Sequence, residues 1–147
     1  MSLIDTLKDA QKDAMRAKDK VRLGAIRMAL AEVKQKEVDT RQIVTDEEVI
    51  AILTKMVKQR KDAHSQFEAA GRQDLADNEA AEIEVLQDFL PRPLSEEELQ
   101  SLIEQAMQET GASSMQDMGK VMNWLKPQVQ GRTDMGQLSG KIKARLS

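Results

Sequence analysis

"FLPRPLSEEEL", Phe89 to Leu99, decides the fold. Two prolines separated by one residue do not sit inside a helix, because each removes an N–H, fixes φ and drives the residue before it toward extended backbone. The residues that follow do the reverse. Ser95 with Glu98 three positions on is a capping box, in which the hydroxyl accepts from the N3 amide and the carboxylate reaches back to the cap amide. One helix therefore ends before Pro91, an extended link carries the chain past Pro93, and a new helix starts at Ser95. A domain boundary belongs there, dividing the chain into 1–92 and 93–147.

Upstream of the link, apolar residues return every three or four positions: Leu3, Leu7, Ala10 and Ala14, then Leu23, Ile26, Leu30 and Val33, then Val49, Leu53 and Met56 onward through Arg60 to Phe67. That spacing predicts amphipathic helices. A second capping box, Thr45 with Glu48, starts the third, and Gly71 in "EAAGRQD" ends it where a positive φ is cheapest. A fourth runs from about Asp74 to Leu90, with Ile83, Leu86 and Leu90 on one stripe and Val85 and Phe89 on the opposite flank, placed to meet the second unit. Downstream, helices of about 95–109, 114–129 and 134–146 are separated by "TGASS" and "QGRT". The expected fold is all-α, an N-terminal four-helix unit followed by a small C-terminal three-helix unit. About 55 residues make a small core, so the second unit is expected to lean on the first.

Composition agrees and excludes much chemistry. The only aromatic residues are Phe67, Phe89 and Trp124, so the cores must come from Leu, Ile, Val, Ala and Met, which suits helix-on-helix packing. No stretch approaches the roughly 20 apolar residues of a membrane span, and "MSLIDTLKDA" has no basic-then-apolar signal. A cytoplasmic protein without membrane contact is the expectation. With no cysteine there is no disulfide, thiolate metal site or cysteine nucleophile. His64 is the only histidine, with no tyrosine or cysteine to join it and no evident orienting carboxylate, and reads as structural or merely surface. Asp74, Asp77, Glu79, Glu82 and Glu84 lack the spacing and glycine of a calcium loop and read as a solvated helix face. The glycines match neither a Walker loop nor a dinucleotide fingerprint. No catalytic residue, metal site or cofactor is expected.

Charge is distributed unevenly. The chain carries −3, yet from Asp117 to Ser147 six cations, Lys120, Lys126, Arg132, Lys141, Lys143 and Arg145, face only Asp117 and Asp134. A helix C-terminus accounts for Lys141, Lys143 and Arg145, but not for Lys120, Lys126 and Arg132. Lys120, Lys126, Arg132, Lys141 and Lys143 are candidate phosphate contacts. Trp124 flanks the stripe of Met118, Val121, Met122 and Leu125, where an indole either packs on a neighbouring helix or offers an aromatic contact to a base or a partner.

Taken together, "FLPRPLSEEEL", "DMGKVM" and "GRTDMGQLSGKIKARL" resemble the GatB/YqeY family over essentially the whole chain. Gly119, Lys120 and Val121 match the family's "GKVM" segment, Gly131, Arg132, Asp134 and Gly136 its turn, and Lys141 and Lys143 its basic terminal helix. Asn123 stands where the family usually has glycine. In that family the same two-part helical module forms the tail of the B subunit of the glutamine-dependent tRNA amidotransferase and is appended to some glutaminyl-tRNA synthetases. The resemblance thus implies a bacterial source, a grip on tRNA near its elbow, and an aminoacyl-tRNA synthetase or amidotransferase complex as company. It also brings the label of a carbon–nitrogen ligase with glutamine as amido-N-donor. The glutaminase subunit and kinase-like body that this chemistry needs do not fit in this chain, so a tRNA-binding accessory module with no catalytic site of its own is the expectation. Its rival is a helical protein-interaction adaptor without nucleic-acid binding, working through Trp124 and the Val85/Phe89 flank.

Overall fold

The computed structural model describes residues 2–147. Among them all regular structure is helical: α1 (Leu3–Ala17), α2 (Lys20–Thr40), α3 (Asp46–Ala69), α4 (Gln73–Gln87), α5 (Glu96–Thr110), α6 (Met118–Val129) and α7 (Met135–Leu146), with a 3-10 turn, Met115–Asp117, ahead of α6. The all-α expectation holds. The chain parts between Leu90 and Pro91 into two compact units, each with its own apolar core.

In the first unit, short polar side chains set the helix starts. Ser2 and Asp19 accept the orphan amides of Asp5 and Arg22, and Thr45 with Glu48 closes the capping box that opens α3. The apolar stripes then face inward: Leu7, Ile26, Val49, Leu53 and Leu86 are fully buried, with α1 packed on α2 and α3 on α4. Gly71 takes φ 73, the left-handed conformation that ends a helix cheaply in glycine. Lys18 and Arg41 do the same at φ 57 without glycine's freedom, ending α1 and α2.

Helix α4 stops at Gln87 rather than Leu90. Its last amides tighten to three-residue bonds, Phe89 N to Leu86 O at 3.2 Å and Leu90 N to Gln87 O at 3.1 Å, because Pro91 disfavours helical backbone at the residue before it. Val85 and Phe89 are partly buried against the first unit's own core. The Arg22 guanidinium lies 5.5 Å over the Phe89 ring and donates to Asp88 Oδ2 at 3.0 Å, covering that flank with charge.

In the second unit, α6 packs against both α5 and α7 around Ile103, Val121, Leu125, Val129, Leu138 and Ile142. The start of α6 is delayed by Asp117, whose Oδ2 accepts from the amides of Ser113 and Ser114 at 3.0 and 3.3 Å and winds 115–117 into a 3-10 turn. Those amides hold the Asp117 carboxyl below its ordinary range, the Ser113 bond contributing most.

Candidate nucleic-acid interface

The basic end of the sequence folds into α6, the α6–α7 turn and α7. Gly131 makes the turn at φ 77, and Arg132 follows it. From there Arg132 reaches back to the proline link: its Nε donates to Arg92 O at 2.9 Å, while its own carbonyl accepts from Leu94 N at 2.8 Å. Glu98 closes the same knot. Its Oε2 takes the Arg92 Nη2 donor at 2.9 Å and stands 4.0 Å from Arg132 Nη2, while Oε1 caps α5 through the Ser95 amide at 3.3 Å. The Arg92 guanidinium first, and the Ser95 amide and hydroxyl after it, push the Glu98 carboxyl from an ordinary 4.5 down to about 2. Arg132 is therefore a clasp between the link and the turn, with a side chain only 28% exposed.

The other cations divide into two groups. Lys141 holds Glu96 at 3.0 Å, and Arg145 makes a two-pronged pair with Glu104 at 2.8 Å in both bonds, which lowers the Glu104 carboxyl. Acids of α5 thus answer several of the charges that appear unopposed when the last stretch of sequence is read alone. Lys120 keeps only a loose contact with Asp117 at 3.8 Å and is 69% exposed. Lys126 and Lys143 are exposed, and among the described residues no carboxylate stands within ion-pair distance of either.

Helical spacing places these lysines in a repeated arrangement. On α6, Gly119, Asn123 and Lys126 fall at i, i+4 and i+7, on the side away from Val121, Leu125 and Val129. On α7, Gly136, Gly140 and Lys143 fall at the same spacing, away from Leu138 and Ile142. All six are solvent-exposed. A Cβ added at Gly119 or Gly140 would meet nothing within 4 Å, so packing does not require glycine at either position. At Gly136 it would come 3.1 Å from Asp134 Oδ1, the carboxylate that caps α7 through Gln137 N. Trp124 is half-buried against the second core, leaving part of the indole in solvent.

Elsewhere the candidate chemistry is occupied by structure. His64 Nδ1 lies 2.8 Å from Glu68 Oε1 one turn on, so an orienting carboxylate does exist, contrary to the sequence reading. Glu82 accepts from Arg60 Nε at 2.9 Å, and Asp74 pairs with Arg72. Among the described residues no three histidine, aspartate or glutamate side chains converge as metal ligands, and no helix is long and apolar enough to cross a membrane.

Comparison with known proteins adds three findings. Residues 4–146 match the family described as Yqey-like protein. A protein of Kluyveromyces lactis named Altered inheritance of mitochondria protein 41, mitochondrial, is 34% identical over 145 residues, covering 96% of this chain and 74% of the relative. Proteins of the same name from Vanderwaltozyma polyspora and Lachancea thermotolerans are 32% and 31% identical, covering 80% and 84% of this chain and 68% and 71% of theirs. The cytoplasmic address expected from the N-terminal residues is overturned by these relatives, each of which is named as mitochondrial. Being fungal, they also lend no support to the bacterial source that the resemblance implies.

Proposed function

Because the chain belongs to the Yqey-like protein family, we propose that it is a tRNA-binding accessory module with no catalytic site of its own, gripping shape and phosphates rather than reading bases. The observation that carries this reading is the matching exposed glycine-and-lysine pattern on α6 and on α7. Glycine in a helix interior costs about 1 kcal/mol against alanine, and Gly140, inside α7, does not recover that cost through packing; Gly119, in the first turn of α6, is not required by packing either. Bare backbone beside a lysine suits the close approach of a sugar–phosphate chain, with Lys126 and Lys143 reaching its anionic oxygens. Lys120 adds a third exposed charge. Arg132 and Lys141 act behind this surface, fixing the turn and the position of α5. The part of Trp124 left in solvent offers a stacking edge.

In this reading α1–α4 and α5–α7 are two modules joined at the proline link, and the elbow of tRNA is the target, in company with an aminoacylation or amidation complex. The names of the relatives favour a mitochondrial setting for it. The adaptor alternative would work through Val85 and Phe89 only by the part of each that the first core leaves uncovered. Binding of the full-length protein to intact tRNA, to an elbow-containing fragment and to an anticodon-stem fragment tests the proposal. Affinity retained by the elbow fragment and lost by the stem supports it; equal weak binding to all three contradicts it.

A further inference from the structure

The first unit carries a second surface, on the groove between α1 and α2. Its floor is apolar, formed by Ile4, Leu30 and Val33, and the groove encloses about 400 Å³. Lysines line it from both helices: Lys8 and Lys12 from α1, Lys34 from α2. All three are exposed, and among the described residues none has a carboxylate within ion-pair distance, whereas Lys36, two residues beyond Lys34, is held by Glu48 at 3.2 Å. Glu37 is the one acid on the lining. The apolar character continues past the groove. Val38, one turn after Lys34 on the same face of α2, is 60% exposed.

We propose that this groove docks an amphipathic helix of a partner protein whose apolar stripe is flanked by aspartate or glutamate. Two antiparallel helices packed together leave a furrow that a third fills with side chains at i, i+3, i+4 and i+7. From Ile4 to Lys12 the furrow follows about 12 Å of α1, room for roughly two turns of the incoming helix. The chemistry of the lining selects the occupant. An apolar floor demands an apolar stripe, and lysines without internal partners demand acids beside it; complementarity of this kind sets partner choice. A nucleic acid would satisfy the lysines but not the floor, since no aromatic side chain lines the groove to stack a base. This proposal is independent of the tRNA reading, which concerns α6 and α7.

The probe is an 18-residue capped peptide with leucine at i, i+3, i+4 and i+7 and glutamate on both flanks, titrated into isotope-labelled full-length protein and followed by amide chemical shifts. Shifts centred on 4–12 and 30–38 are expected, with an affinity that falls about tenfold in the K8E/K12E/K34E protein and less in K8Q/K12Q/K34Q, each confirmed as folded by circular dichroism. A lysine-flanked version of the peptide binding as well as the acidic one overturns the proposal. So does displacement of the peptide by bulk tRNA with the same lysines perturbed, which assigns the groove to RNA. Self-association that K8E/K12E/K34E abolishes, seen by sedimentation, also overturns it and makes a second copy of the chain the occupant.

Discussion

Arg132 shows how far a residue's role depends on what its neighbours do. Its position after a glycine in a basic stretch points to phosphate, yet its Nε is spent on Arg92 O and its plane faces Glu98. Replacing it with alanine should cost the second unit on the order of 1 kcal/mol, read as a lower urea midpoint, with lysine restoring only part because it lacks the planar fork. Unchanged stability in Arg132→Ala would remove the clasp. Glu98 gives a pH test at the same knot. Its folded-state carboxyl is depressed from an ordinary 4.5 to about 2, so its contribution is fully present above about pH 4.5 and is lost as pH falls toward 2. Unfolding by urea between pH 5 and 2 should therefore lose stability less steeply in Glu98→Gln than in the parent. Some slope remains, because Glu104 and Asp117 are lowered too. The capping half of this knot was legible in "SEEE", where both partners sit within one turn. The Arg132 half was not, because the turn that meets the link lies two helices and 40 residues later in the chain.

At the scale of elements, periodicity and caps read well and helix ends less so. Both capping boxes form, and Gly71 ends α3 in the left-handed conformation. The ends at Lys18 and Arg41 carry no glycine to announce them, and α4 gives up its last residues to the proline that follows. The Gly/Asn/Lys face of α6 and the Gly/Gly/Lys face of α7 were present in the sequence as "GKVMNWLK" and "GQLSGKIK", but each becomes a surface only once the helical turn aligns its residues and the core claims another side. They make a prediction in which stability and binding move in opposite directions. Gly140→Ala should raise stability by roughly 0.5–1 kcal/mol and Gly119→Ala, in the first turn of α6, by less, since nothing obstructs either added methyl, while both weaken tRNA binding. Gly24→Ala in α2, equally unobstructed, should stabilise without touching affinity. Parallel thermal melts and binding isotherms of the three variants decide it; loss of affinity only at Gly24 would place the interface elsewhere.

For the whole molecule, net charge is a poor guide and its partition among helices a better one. The chain is acidic, yet three of the five acids of α5 are held by Arg92, Lys141 and Arg145, leaving Lys120, Lys126 and Lys143 facing solvent on a unit whose core is complete. If these lysines hold phosphates, each contact releases counterions, and the dependence of affinity on salt counts them. The measurement that tests this most directly is the affinity of full-length protein for tRNA across a salt series, made for the parent and for K120A/K126A/K143A. The account predicts that the folded variant binds more weakly and that the slope of log affinity against log salt falls by roughly 2 to 3. A variant that folds normally and keeps the parent's affinity and slope would contradict it.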